Sequence, residues 1–407
     1  MAVYVSLDKK MEAEIIKDKC QKLLEVVDAK TTELLSALTE YESHETAEDE
    51  IWRSKDYLQN ISEELKWLTH GKVDSMCAFF PVNLPLYSLF LFAIVPGFMS
   101  GEVVIRVPLL MRSVAYRLMS ILELEKIVPN IKVVDLERSL FVEAYVSNAD
   151  IVLFTGRYSN ALLVQAACRG LFIYNGAGIN PFLITKSADI NDAVHKSVEM
   201  RLFNSGQDCA GPDAFLVDEA IINSYKNNLV KMLGKVKIGS YSNPEVRVGS
   251  LVKADHLKNL RTFLESKAEN LEYGGKIDFE QSVVYPTVIV EDISVMTHAQ
   301  TMEFFAPVFY VLVYSNIQQV SKFFSSKHYK DYAMYVSIFG QTPPSLKIPN
   351  STILRDKIVN DVERGYIPYG GRGKKANYIF SDNKYMYKPL QISKEIKDYI
   401  SKKTKAK

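Results

Sequence analysis

Between about Leu7 and His70 apolar residues recur at three- and four-residue spacing among many charges. Ile15, Ile16, Leu23, Leu24, Val27, Leu34, Leu35 and Leu38 form one stripe. That period predicts a pair of amphipathic surface helices, broken near Ser43–Ala47. From Cys77 the pattern changes to short β-branched runs separated by helical stretches. Met76–Phe80, Val103–Val107, Ile131–Val134 and Ile151–Phe154 predict buried strands, and Leu110–Leu124 and Leu136–Ser147 the helices between them. Strand–helix alternation predicts a parallel sheet covered on both faces. After Gly178 a second α/β unit follows, with helices at Ile190–Phe203 and Glu219–Leu233 and strands at Ala214–Val217, Val283–Val290 and Val308–Tyr314. A short strand at Asn377–Phe380 precedes a Lys-rich tail expected to be solvated or frayed. The expected division is 1–175, 176–373 and 374–407, the last segment finishing the sheet or pairing protomers.

Composition narrows the partners. The 407 residues are 47% hydrophobic, enough for two or three cores. Lys and Arg total 49 against 48 Asp and Glu, a net charge of +1, so no strong field attracts nucleic acid or an anionic membrane. A small ligand or a protein partner is expected instead. The N-terminus is charged and does not read as a signal peptide. The strongest apolar run, Ala78–Met99, is interrupted by Pro81, Asn83, Pro85 and Pro96, which predicts a buried helix and no membrane span. The four cysteines, Cys20, Cys77, Cys168 and Cys209, form no CxxC pair and no metal-finger spacing with histidine. They read as free thiols in a reducing, cytoplasmic setting, with no metal site.

One thiol stands apart. Cys209 follows a helix and the turn Asn204-Ser205-Gly206-Gln207-Asp208, a setting that surrounds a thiolate with backbone N–H donors. Other segments resemble the aldehyde dehydrogenase superfamily in order and spacing. They are Pro81-Val82-Asn83-Leu84-Pro85, Val103–Pro108, Phe154-Thr155-Gly156, Asn175–Pro181, Asn204–Cys209, Glu303–Val308 and Pro368-Tyr369-Gly370-Gly371, where the family motif reads Pro-Phe-Gly-Gly. The resemblance runs from about Cys77 to Arg372. It implies an α/β fold with a Rossmann-like parallel-sheet cofactor domain and a second α/β catalytic domain. It also implies homo-oligomers and a nicotinamide dinucleotide held by Pro81, Arg106, Phe154, Thr155, Gly156, Gly176, Glu303 and Phe305.

The chemistry fits those residue types. A thiolate attacking a carbonyl carbon generates an oxyanion, which fixed amide donors stabilise. The resemblance implies Cys209 as nucleophile, with Asn83 and the Cys209 backbone N–H as donors. Glu303 is expected to accept from the nicotinamide-ribose hydroxyls. The position three residues after Arg106 is Leu109 and not the carboxylate of NAD-preferring members, which favours NADPH over NADH.

Asn175 stands where hydrolytic members keep a Glu general base, and an amide takes no proton at neutral pH. Gly176-Ala177-Gly178 is similar to the acylating members of the family. The expected reaction is therefore reduction of an acyl thioester, on coenzyme A or a carrier protein, to an aldehyde. Two alternatives stand beside it. One is oxidation of an aldehyde to an acid with another group activating water, His298 being the histidine near a motif. The other is a non-catalytic, cofactor-binding scaffold, consistent with the missing Gly-rich turn between Arg106 and Gly156.

Overall fold

A computed structural model describes residues 2–252, 256–297 and 303–406. The strands are β1 (Val73–Phe79), β2 (Ser100–Arg106), β3 (Ile131–Val134), β4 (Ile151–Thr155), β5 (Leu171–Asn175), β6 (Phe182–Ile184), β7 (Phe215–Asp218), β8 (Leu271–Tyr273), β9 (Ile277–Asp278), β10 (Val283–Val284), β11 (Thr287–Asp292), β12 (Val308–Tyr314), β13 (Tyr335–Phe339), β14 (Thr352–Arg355), β15 (Asn377–Ser381) and β16 (Lys384–Met386).

The first sheet has the order β16-β15-β5-β4-β1-β2-β3. Its five strands β3-β2-β1-β4-β5 are parallel and doubly wound, reversing direction of travel between β1 and β4. In open α/β sheets the crevice beyond the carboxyl ends of the strands at that reversal is where ligands bind. β15 adds to β5 antiparallel, within the same chain. The second sheet runs β14-β13-β6-β7-β12-β11-β8, parallel except for β8. The fold expected from the strand–helix alternation, a Rossmann-like sheet followed by a second α/β unit, is the fold observed.

Local differences from the sequence reading have physical causes. The run Val283–Val290 is two strands, because Pro286 removes a ladder N–H and separates β10 from β11. The apolar run after Pro85 is a buried helix whose middle, Phe90–Ile94, widens to a π turn. Pro96 can donate no N–H to the preceding turn, and the wide turn absorbs that defect. The Lys-rich tail is not frayed: Ile392–Ala406 is a helix. It buries Ile396 and Tyr399 against the first core and directs its lysines to Asp398 and Asp150. A charge run is one face of an amphipathic helix once its apolar residues find a core. Among the described residues no helix is long and apolar enough to cross a membrane.

The N-terminal helices do more than cover a surface. Ser43 caps the helix His44–Gln59, its hydroxyl accepting from Thr46 N–H at 3.2 Å. That helix buries Glu50, whose carboxylate accepts from Tyr87 N–H at 2.6 Å. The helix Pro85–Leu89 begins at Leu84, which is left-handed and carries no capping side chain. Glu50 therefore supplies the acceptor that the local sequence lacks. Glu42 lies beside it, also buried. Burial and the adjacent Glu50 carboxylate hold Glu42 well above the usual range. Burial pushes Glu50 up to about 7.

A carboxyl group whose pKa is raised by folding binds its proton more tightly in the folded state. Its contribution is fully present below the unfolded value and declines as pH rises toward 7 and beyond. Glu50→Gln keeps an acceptor oxygen but cannot ionise. We expect its thermal midpoint to fall less than that of the parent between pH 5 and 8.5, a difference on the order of 1–3 kcal/mol at the upper end. Parallel melting curves for the two proteins across that range test it.

Candidate active site

β1, β2 and β4 end together, and the residues that follow them open onto one cavity of about 480 Å³. Thr155, at the end of β4, donates its hydroxyl to Phe79 O at 2.7 Å, stitching the two strands that flank the sheet's reversal. Gly156 follows with φ +131, a conformation that L side chains rarely adopt, and its exposed backbone borders the crevice. Arg106, half-buried at the end of β2, is oriented by its Nε donating to Leu136 O at 3.2 Å. Arg138 and Arg157 are exposed on the same cavity wall. Phe154 lines the cavity, but most of its ring is core, against Phe79 at 5.1 Å between centroids.

The opposite wall is the loop that carries Cys209. The helix Ile190–Leu202 stops at Phe203, and Asn204, Ser205 and Gly206 then take φ of +48, +53 and +80 in succession. Such a run of left-handed residues is strained and persists only when its surroundings over-determine it. Here they do. Arg201, fully buried, donates to Gly206 O at 2.5 Å and to Pro212 O at 2.9 Å, clasping the chain on both sides of Cys209. Asn204 N–H is received by Thr46 Oγ1 at 3.1 Å, Ser205 meets Tyr241 at 2.6 Å, and Val252 N–H reaches Gln207 Oε1 at 2.9 Å. Asn180 donates to Cys209 O at 2.9 Å while its own oxygen accepts from Tyr335 N–H at 3.2 Å.

Gly206 also explains how two distant motifs meet. A Cβ there would lie 2.4 Å from Ala306 C and 2.7 Å from Pro307 N. The absence of a side chain lets the Glu303–Pro307 loop lie directly against the loop that carries Cys209. Asn83 closes the third side, its Nδ2 donating to Gln207 O at 2.9 Å. An amide nitrogen has two hydrogens, so this anchor leaves the second for another oxygen.

Cys209 is half-buried, with its Sγ 3.1 Å from the Tyr369 hydroxyl. Burial, and then the neighbouring Asp208 carboxylate, push the thiol well above its usual value, while the Tyr369 hydrogen bond acts in the opposite direction. Asn175, at the end of β5, has a buried Oδ1 with no hydrogen-bond partner among the described residues.

Pro81, Asn83, Arg106, Phe154, Thr155, Gly156, Asn175, Gly176, Cys209, Glu303 and Phe305 all line this one cavity. His298 lies outside the described residues. Sequence reasoning missed Arg201, Asn180 and His256, the last also on the cavity wall. Asn180 sat inside a recognised motif, but nothing in its type distinguished a clamp from a turn residue. Arg201 had no signal beyond a charge among apolar helix positions.

A model of the aldehyde dehydrogenase family matches residues 16–343. The lactaldehyde dehydrogenase of Methanococcus aeolicus is 25% identical over 168 residues, 40% of this chain and 34% of that protein. The 2-aminomuconic semialdehyde dehydrogenase of Homo sapiens is 28% identical over 262 residues, 59% of this chain and 53% of the relative. The chain thus spans about a third to a half of those relatives' lengths. Glyceraldehyde-3-phosphate dehydrogenase from Methanocaldococcus jannaschii, solved with NADP, superposes with a TM-score of 0.77 at 18% identity, covering 96% of this chain and 91% of that one.

These relatives are named for free aldehydes. That overturns the expectation of an acylating enzyme reducing a thioester on coenzyme A or a carrier protein. The inference from Asn175 failed for a physical reason. Losing one base removes one proton acceptor, but it builds no site for a second thiol. Asp208, Glu303 and His256 also line the cavity.

Substituting Gly206 tests the loop geometry. Gly206→Ala places a methyl against the backbone of Ala306 and Pro307 at positive φ. We expect a stability loss of about 1–3 kcal/mol or more, together with lost activity, read by chemical denaturation and by turnover.

Proposed function

The chain belongs to the aldehyde dehydrogenase family, and on that premise we propose that it oxidises a free aldehyde to the carboxylic acid with NADP as hydride acceptor. The observation that carries the reading is the sharing of one cavity by Cys209, Asn83 and Glu303 with residues at the carboxyl ends of β1, β2 and β4.

The residues present suit a dinucleotide. The doubly wound sheet offers its reversal point, and Gly156 leaves backbone bare where a ligand must approach closely. The unpartnered Asn175 Oδ1 gives a buried acceptor beside it. Arg106, Arg138 and Arg157 supply cationic groups on the same wall, and a guanidinium fork suits a 2′-phosphate. Leu109 is largely exposed and carries no charge to repel one. Pro81, Phe154, Thr155, Gly176, Glu303 and Phe305 line the same cavity as the thiol. Bound there, the nicotinamide supplies a hydride acceptor.

The protein's own groups perform the remaining steps. The Cys209 thiolate forms a bond to the aldehyde carbon, and the carbonyl electron pair moves to oxygen. Asn83 and the Cys209 N–H stabilise that oxygen. As hydride leaves, the carbon–oxygen double bond re-forms, giving a thioester on Cys209. Water then adds to the thioester, the carbon–sulfur bond breaks, and acid and thiolate separate. Asn175 cannot take the proton from that water. Asp208 and Glu303, carboxylates close enough to influence the thiol's ionisation, are acceptors available to it. Leu84, Leu91, Phe92, Leu390 and Ile392 add apolar lining to the cavity, as suits an aldehyde with a hydrocarbon body. The four unpaired cysteines suit a cytoplasmic, reducing setting.

Incubation with NADP and a panel of aldehydes, followed at the absorbance of the reduced cofactor with acid identified as product, tests this reading. Cys209→Ser should abolish turnover while retaining cofactor binding. Asn83→Ala should lower kcat by about 10²–10³-fold. Arg106→Met should weaken NADP more than NAD. Inactivity of the parent across a broad aldehyde panel with both cofactors would overturn the proposal.

A further inference from the structure

Tyr369 departs from the family motif, which carries Phe in the Pro-Phe-Gly-Gly segment. The difference is one oxygen atom, and that atom lies 3.1 Å from Cys209 Sγ. The contact is built by several elements. Tyr369 N–H donates to Leu390 O at 2.9 Å, and Leu390 N–H returns a bond to Tyr369 O at 2.8 Å. Asn377 Nδ2 donates to the same Tyr369 oxygen at 3.0 Å. The N–H of Gly370 donates to the Tyr335 hydroxyl at 2.7 Å, and the Tyr335 ring packs edge-on against Tyr369 at 5.5 Å. The backbone and ring are thus fixed before any ligand arrives, so little ordering entropy opposes the hydroxyl–sulfur contact.

Among the described residues, titratable groups acting on this sulfur include Asp208 on its own loop, Glu303 on the loop before β12, and Tyr335 on β13. The two carboxylates repel a thiolate, and burial disfavours it further; the hydrogen bond from Tyr369 favours it. Tyr369 itself is held well above its usual value by burial, with the sulfur adding to the effect, so it stays neutral and keeps a proton to donate. Asn175, where hydrolytic family members place a carboxylate base, offers no proton acceptor.

We propose that Tyr369 is a catalytic residue: its hydroxyl donates a hydrogen bond to Cys209 Sγ in the thiolate form and aims the sulfur at the substrate carbon. The role rests on Cys209 being the nucleophile of the proposed oxidation. It gives this chain a means of making the thiolate available in a site whose carboxylates oppose it.

The test is the pH dependence of Cys209 alkylation by iodoacetamide in the full chain, followed by mass of the labelled peptide, for the parent and Tyr369→Phe. The variant keeps the ring and restores the motif residue, and its thermal midpoint serves as the check on folding. Removing a donor to the anion should move the profile to higher pH and slow alkylation near neutrality about tenfold. An unchanged profile, or a shift to lower pH, would overturn the proposal. Alkylation needs neither aldehyde nor cofactor, so the two readings fail separately. A shifted profile without aldehyde turnover removes the proposed oxidation alone, whereas turnover with an unshifted profile removes the role of Tyr369 alone.

Discussion

The fully buried Arg201 guanidinium, which clasps the segment carrying Cys209, is the constraint on which the candidate site depends. It donates to the carbonyls of Gly206 and Pro212, and so fixes both ends of the segment that carries Cys209, directly after the left-handed residues Asn204 and Ser205. A buried cation is tolerated only when paired and hydrogen-bonded. Asp213, 3.6 Å away, supplies the opposite charge. Together with the contacts of Thr46 to Asn204 and of Tyr241 to Ser205, that clasp holds the left-handed run and the segment that carries Cys209.

The helices that precede the first sheet complete the same scaffold. Thr46 receives the Asn204 N–H, and Arg53 lies over Phe203 while pairing with Asp49 and Glu363. Tyr87 joins Glu363 by its hydroxyl and Glu50 by its backbone. One chain of buried polar contacts thus links the N-terminal helices, the turn that carries Asn83, and the cavity wall near residue 363. Such networks are costly when partly satisfied and rigid when complete.

The two α/β units divide the labour by their physics. A parallel sheet that reverses direction leaves a crevice at its carboxyl edge, and backbone near Gly156 forms its rim. The second unit contributes a strained loop carrying the thiol, and Gly206 lets the Glu303 loop lie against it. The contact between Gly206 and Ala306–Pro307 is backbone against backbone, so the spacing of the two motifs is set by the absence of a side chain.

The sequence by itself determined the parts that depend on local pattern. Short β-branched apolar runs and the helical stretches between them placed β1 to β4, β12 and the helix Ile190–Leu202 to within a few residues, and ordered motifs named eleven residues that now share one cavity. Pro286 divided a strand that apolarity alone would have kept whole, and the Lys-rich tail became a helix because a core lay beneath it. Only the tertiary structure decided what depends on distance across the chain. Arg201 and Asn180 act through carbonyls, which carry no side-chain signature in a sequence. Glu50 caps a helix that begins far along the chain. Tyr369 became chemically distinct only when the fold brought its oxygen to the sulfur. The substitution at Asn175, legible in sequence, misled for the same reason, because proton acceptors are a property of the whole cavity and not of one position.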